Sequence, residues 1–524
     1  MAISGRQSGS LRRRWTAVAT ILAAASLLAA ACGSASPGTS KQAGSRGGTL
    51  TIATEFSNGS LDPAKGNAGT DTAYLDEIFA PLIRYGTNGH LQGVLATSWK
   101  YVGSDYKTFQ IDLRHGVEFS NGQPLNAAAV VASIKHYETS GNDWTTTCTT
   151  VTALSAYVVQ LQCAKPNPDL PEVLNDYTLG GDIVAPQTLA HPSTLTTDPI
   201  GAGEYTLDLA QTVTGSTYTY VANPKYFDQS AIHYSRIVVK YIANLSSALD
   251  AVRSGQVDWL ADADPTTLKA AKTSGLPVQV TPFAFNGIEL ADRAPGASNP
   301  LGKLQVRQAL EYAVNRAAIV KALYGDFGQP TDEVATPTSP TDWDAAVNNY
   351  YPYDPAKAKQ LLAAAGYAHG LTISVEDTPL DATLTQAVIG YWNAVGVKAK
   401  LTADPSITVE ISRVLAKDFP VMAYLYGSIP MYLQAVNWFE PDANLYNPFG
   451  TDDPAINQLI SAATTAPAAE QDAAWQKVQA AGVQQAWYVG VAVFDIGIIH
   501  VSSINVPSLV GGYVGNPIDV TPSS

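Results

Sequence analysis

The chain has 524 residues, 46 % of them apolar, with 31 basic against 45 acidic side chains and a formal net charge of −14. That balance repels nucleic acid and anionic lipid surfaces, and so excludes broad electrostatic adhesion to either. The length suffices for about three domains, and past the N-terminal region no further run of about 20 apolar residues could span a bilayer.

Arg6, Arg12, Arg13 and Arg14 form a positive head, followed by the uncharged run WTAVATILAAASLLAAA from Trp15 to Ala31 and then Cys32. These zones predict a secretory signal peptide over residues 1–31. The run is at the lower edge for crossing a bilayer, so a retained signal anchor is the competing reading. Small residues ending in cysteine are similar to a bacterial lipobox, with Cys32 the lipidated mature N-terminus. Ala29 stands where a large aliphatic residue is usual, and Leu28 lies one place earlier. Acyl chains, at about 0.8 kcal/mol per buried methylene, would hold the protein on the outer face of a membrane. GSASPGTSKQAGSRG has no apolar periodicity, so 32–47 reads as the lipidated cysteine and a flexible tether. The first 31 residues hold four arginines and no acid, which leaves 27 basic and 45 acidic side chains, a net −18. Cys148 and Cys163 remain as an even pair, which in an exported chain predicts a disulfide, two buried thiols being the alternative.

GTLTIATE (48–55) alternates as a strand, and TDTAYLDEIFAPLIRYG (70–86) has helical spacing and ends at glycine. TFQIDLRHGVEFSNGQPL (108–125) reads as a strand with a turn at Asn121 and Gly122, and Asn126 caps a following helix. The segment between the two cysteines alternates like two short strands, and further strands are expected within 205–223 and 236–242. NLSSALDAVRSG (244–255) is a helix closed by glycine, and QVDWLAD returns to strand character. From Pro282 the texture becomes helical. KLQVRQALEYAVNRAAIVKALYG (303–325) puts Val306, Leu310, Ala313, Ala317 and Val320 on one face of a single helix. Helices over 354–367 and 383–396 interleave with strand-like LTISVED and VKAKLTAD, giving an α/β unit, and two more helices precede a strand-rich tail from Trp487.

Catalytic signatures are missing. The seven histidines have no pair at metal-ligand spacing on one helix, and HExxH, GxSxG and CxxC are absent. GASNPLGKL has five residues between its glycines where a phosphate loop needs four. Glu440 and Asp442 in WFEPD are a carboxylate pair of the kind a glycosidase uses, but two acids on a Pro-containing loop are more often solvated. The balance points to binding rather than catalysis, with no cofactor and no metal.

SLDP (60–63), IFAPLIRYG, LATSWKYVGSDYKTFQIDLRHGVEFSNGQPLNAAAVV, IGAGEYTL, ALDAVRSGQVDWL, VRQALEYAVNRAAIV and DPAKAKQLLAAAGY occur in that order. Together they resemble the family 5 extracellular solute-binding proteins of ABC importers, the oligopeptide-, dipeptide- and nickel-binding group. The resemblance implies a two-lobed periplasmic-binding-protein-like α/β fold of the class II type. Lobe I would comprise 48–281, with a sub-domain at about 80–187, and the return 488–524, while lobe II would be 282–487. It also implies a monomeric, non-enzymatic receptor that captures a peptide between its lobes and delivers it to ABC permease subunits. Gly201, Gly203 and Tyr205 would shape a crossover, with Glu204 replacing a usual proline. Arg307 would make a structural ion pair. Asn121 and Lys303 stand where the family often has acids, with no effect on the fold.

Peptide-binding members usually place an aspartate after the strand that here reads AYLYG, and no acid lies between Asp418 and Glu440. An ordinary peptide N-terminus would lack its counter-charge there. Tyr424, Tyr426, Tyr432, Asn437 and Trp438 instead suit an uncharged, sugar-like solute through stacking and hydroxyl contacts, with lobe core as the plainer reading. Glu440 is the candidate substitute acid, and Phe56 is the candidate ligand contact from lobe I. The alternatives are therefore the same fold with a sugar-like or other non-peptide solute, a sensor, or an exported hydrolase. Bare nickel is disfavoured by the sparse histidines.

Overall fold

The computed structural model describes residues 47–140, 148–262, 264–296, 299–338, 343–377, 380–427, 431–441, 444–511, 513 and 515–523. The expected signal peptide, Cys32, most of the tether, and Asp442 lie outside these residues.

Two long strands organise the molecule. Val278–Glu289 and Tyr488–His500 pair antiparallel from Val278 opposite Ile499 to Glu289 opposite Tyr488. At about 3.3 Å per residue they run for roughly 40 Å, long enough to serve two cores. On one side of this pair stand Trp259–Asp262, Gly47–Thr54, Tyr234–Tyr241, Thr217–Ala222 and Tyr205–Leu207, in that order. On the other stand Val421–Gly427, Leu371–Asp377 and Val397–Ala403, and Gly328–Pro330 adds to the Tyr488–His500 strand. The described sheet thus passes through both lobes.

The cores change along the crossing strands. Leu50, Ile52, Ile237 and Val239 pack with Ile498, while Leu260 and Leu268 pack with Ile499. Phe285, Ile288, Tyr488, Val489 and Val491 belong to the cores of the second lobe. The return to the first lobe therefore falls inside the second crossing strand, between Val491 and Ile498, and residues 488–491 pack with the lobe expected to end at 487. The register shifts between Pro282 and Ala284, where the proline has no N–H to give the ladder.

The sub-domain is a four-stranded antiparallel sheet, ordered Ala96–Tyr101, Thr108–Leu113, Val158–Cys163 and Cys148–Ser155. Strict alternation buries Phe109, Ile111 and Leu113 against Val159, Leu161 and Cys163. Helix Ala127–Tyr137 covers the sheet, with Asn126 accepting from the Ala129 N–H as its cap. Cys148 and Cys163 face each other across neighbouring strands and are joined by a disulfide.

Two sequence expectations are corrected. The helix expected over 70–86 is a single turn, Thr72–Leu75, followed by the strand Ile83–Tyr85. Pro81 interrupts it, and the Glu77 and Ile78 carbonyls accept instead from the N–H groups of Tyr205 and Gly203. The crossover presses so close that a Cβ at Gly201 would lie 2.1 Å from the Ile78 oxygen. Glu204 is buried there, accepting from the Tyr226 hydroxyl at 2.7 Å and lying 3.8 Å from Arg84. The helix expected over 303–325 is two, Leu304–Tyr312 and Arg316–Leu323. Asn315 caps the second by accepting from Ala318, and this break resets the helical phase. Ala317 is consequently exposed and Ile319 takes the buried place.

Replacing both Cys148 and Cys163 with serine is expected to lower stability to denaturant by about 3 kcal/mol, the chain-entropy value for a loop of this length. Urea unfolding followed by circular dichroism measures it.

Candidate functional site

The second lobe is held rigid from inside by three arginines. Arg316 is buried with Glu311 and Asp332 and donates to the Gly490 carbonyl at 2.7 Å. Arg293 lies 3.5 Å from Glu289, donates to Asn447 at 3.0 Å and covers the Trp487 ring at 3.8 Å. Arg307 donates to the carbonyls of Leu301, Gln485 and Ala486. Its hydrogen-bond partners are thus main-chain oxygens, which corrects the expected ion pair: among the described residues no carboxylate lies within ion-pair distance, Asp453 acting only from farther off.

The strand Val421–Gly427 carries Tyr424 and Tyr426 towards the helix Met431–Phe439. Trp438 sits at the centre of a ring cluster, 5.7 Å from Tyr424, 5.5 Å from Tyr426, 5.9 Å from Tyr446 and 5.3 Å from Tyr488. Trp438 is fully buried, and Tyr432 packs edge-on to Trp475 in the same core. Four of the five residues read from this segment as stacking candidates, Tyr424, Tyr426, Tyr432 and Trp438, are therefore brought together as core, and Asn437 is buried beside them. The sequence pattern that suggests a stacking surface also describes an aromatic core, since both need large rings at short spacing. Phe56 stands apart, half exposed, after the first strand of the other lobe, where its carbonyl accepts from the Tyr74 hydroxyl.

The helix Met431–Phe439 is where the lobes meet. The Leu433 side chain packs against the first lobe's core, and its N–H donates to Asp169 Oδ2 at 3.1 Å. The Tyr432 N–H also reaches that carboxylate. Asp169 therefore acts as an N-terminal cap supplied across the interface. Its loop is fixed by Asn167, which accepts from the Asp169 N–H, and by Tyr101, whose hydroxyl donates to the Asn167 carbonyl at 2.6 Å. Burial, and then Glu172, push the Asp169 carboxyl well above its ordinary range, while the helix N–H groups oppose that shift. Tyr106, held at φ +53°, donates from its hydroxyl to the Ala466 carbonyl of the second lobe at 3.1 Å. Glu440 lies 3.5 Å from Lys165. That pair is solvent-accessible and contributes at most about 1 kcal/mol, so Asp169 dominates the contact.

A second group of acids, unmarked in the sequence reading, closes the carboxyl ends of two strands. Glu376 and Asp377 end Leu371–Asp377, and Asp404 follows Val397–Ala403, with its N–H bound to the Asp377 carbonyl at 2.7 Å. Burial, and then the facing Asp404 carboxyl, raise Glu376 to about 9. Glu410, shielded and close to Asp381, is raised to about 7. Two neighbouring strands that each end in an acid, VED and TAD, were the available signal. Among the described residues no group of three or more histidine, cysteine or acidic side chains could hold a metal ion.

The family described as bacterial extracellular solute-binding proteins, family 5, middle, matches residues 90–451. The chain belongs to this family. It is a family of solute-binding proteins that work outside the cytoplasm, not of enzymes. Among the relatives is a protein of Sinorhizobium fredii named "Probable peptide ABC transporter periplasmic-binding protein y4tO", 24 % identical over 365 residues that cover 65 % of this chain and 67 % of the relative. Another is the glutathione-binding protein GsiB of Salmonella typhimurium, 26 % identical over 371 residues, 66 % of this chain and 67 % of that one. The structure of the periplasmic binding protein DppA from Helicobacter pylori, in complex with peptide STSA, superposes with a TM-score of 0.74. It is 19 % identical, with 91 % of this chain and 99 % of that one covered. The family's two-lobed α/β fold is the one described above.

Losing the Asp169 cap is expected to cost the closed arrangement about 0.5–2 kcal/mol. Small-angle X-ray scattering of ligand-free Asp169→Ala should give a larger radius of gyration than the parent. An unchanged radius would mean that other contacts set closure.

Proposed function

We propose that this protein is an exported, lipid-anchored receptor that encloses a peptide between its two lobes and hands it to the permease subunits of an ABC importer. The observation that carries the reading is the set of contacts across the lobes. A buried carboxylate of one lobe caps a helix of the other, beside a solvent-accessible ion pair, Lys165 to Glu440. Such a contact is strong enough to bias closure and weak enough to be broken in each transport cycle. Peptide as the solute is supported by the relatives, one named for peptide transport and one for glutathione, and by a peptide-bound structural neighbour. Phe56 and Glu440 remain the accessible members of the ligand-contact set, and the buried rings would act by shaping the floor beneath the solute. Cys32, after a signal peptide of 31 residues, would carry the lipid, and the tether to residue 47 would keep the receptor beside its transporter.

Native mass spectrometry of the soluble chain, starting at Gly33 and purified without refolding, should reveal bound masses that resolve into short peptides. A single non-peptide mass would replace peptide by that solute class. In cells, Cys32→Ser is expected to move the protein from the membrane fraction to the soluble one, as followed by immunoblot.

A further inference from the structure

Resting on the receptor reading, we propose that the carboxyl ends of the strands Leu371–Asp377 and Val397–Ala403 form a subsite for an organic cation, an ammonium or guanidinium group of the captured solute, with Glu376 and Asp404 as its partners and Glu410 beside them.

The first argument is position. Leu371–Asp377 runs parallel to Val421–Gly427, with Val375 opposite Val421, and also to Val397–Ala403, with Asp377 opposite Ala403. Its carboxyl end therefore points the same way as Gly427, which leads to the helix that touches the first lobe. In open α/β sheets, solutes bind outside the carboxyl ends of parallel strands, because loops and helix starts converge there.

The second argument is an unmet demand for donors. Glu376 is fully buried, and among the described residues neither of its carboxylate oxygens receives a hydrogen bond from a donor. Asp404 is 3 % exposed; Arg413 holds its Oδ1, and its Oδ2 receives no hydrogen bond from a described residue. The two carboxyls face each other at hydrogen-bonding range. Two buried carboxylates in that relation need a shared proton or a cation between them. Elsewhere in the same lobe three buried acids have an arginine beside them, Glu289 with Arg293, and Glu311 and Asp332 with Arg316, though each also keeps an oxygen without a hydrogen bond from a described residue. Here, among the described residues, Arg413 is the cation paired with Asp404, and it is also drawn towards Asp418 at 3.8 Å. Asp377 is engaged by the Thr385 hydroxyl at 3.2 Å, and the subsite is built on the acceptors of Glu376 and Asp404.

The third argument is ligand class. Three acceptor oxygens, two on Glu376 and one on Asp404, match the three donors of an ammonium or part of the guanidinium fork. A bare metal is not favoured, since the described acids do not converge as a metal site. The segment from 419 to 439 contains no acid, so a positively charged group in this part of the lobe finds its counter-charge on these strands.

The test uses the soluble chain from Gly33, freed of any retained solute, with two probes in calorimetry: the tripeptide Lys-Ala-Ala and its doubly N-acetylated, uncharged-amine analogue. The parent is expected to prefer the cationic peptide, and Glu376→Gln and Asp404→Asn should each weaken it about 10- to 100-fold. Both variants should leave the acetylated analogue unaffected. Glu376→Gln is also expected to raise the thermal midpoint of the empty chain at pH 8, which separates a lost contact from a damaged fold. Equal affinity for the two peptides, or unchanged affinity in both variants, would overturn the subsite while leaving the receptor reading intact. If neither peptide binds, the retained solute is identified, and one without a basic nitrogen overturns the subsite. A chain that retains no solute and binds neither probe overturns the receptor reading, and the subsite falls with it.

Discussion

The structure depends on the hydrogen-bonded pair Val278–Glu289 and Tyr488–His500, shared by both lobes. Buried backbone N–H and C=O groups must keep their partners, so the lobes cannot slide past each other along this ladder. The soft place is the register shift at Pro282, where the ladder loses a donor and Phe283 is left out of the pairing. In the receptor reading, relative motion would therefore be rotation about that region, moving most the parts farthest from it. The helix Met431–Phe439 and the loop carrying Asp169 are then the surfaces that meet or part, which places the cost of opening in a small number of contacts.

Rotation about a hinge requires each lobe to move as a unit. In the second lobe that rigidity comes from Arg293, Arg307 and Arg316, whose planar guanidinium groups bind several strand and helix carbonyls at once. Each arginine joins segments distant in sequence, such as Arg307 on one helix and Gln485 at the end of another. The aromatic cluster around Trp438 fills the space between them. These buried polar ties cost desolvation, as the lowering of Arg293 and Arg307 to about 10 by burial reflects, and they fix one packing in return.

Much of this was legible from sequence because it is local. Asn126 caps its helix through the side chain as expected, and the helices expected from 244 and 354 begin at those residues, which also cap them. The alternation in 108–113 and 158–163 gave the sub-domain strands and brought the two cysteines into register. What failed was decided by distant chain. The segment after Leu75 has helical periodicity, yet its carbonyls are taken by Gly203 and Tyr205, more than a hundred residues on. The candidate site suffered the same way. Tyr424 and Trp438 looked like a stacking surface, and only the packing of Tyr446 and Tyr488 around them turns that surface inward. Asp169 and Glu376 carry no motif. Their meaning lies in what faces them, a helix terminus in one case and another carboxyl in the other.

These two acids pose the same problem with different solutions. Burying a carboxylate without donors costs free energy, and a donor supplied from elsewhere offsets that cost. Asp169 obtains its donors from the second lobe, the N–H groups of Leu433 and Tyr432. Glu376 and Asp404 obtain theirs, in the arrangement proposed here, from the solute. A closed, empty receptor would satisfy the first carboxylate and leave the second pair wanting, whereas a closed, loaded one satisfies both. That difference in free energy between the two closed states is what couples occupancy to closure, since a solute can shift the equilibrium only by what it contributes to one state over the other. A permease that recognises the closed form would then be presented chiefly with receptors that carry cargo.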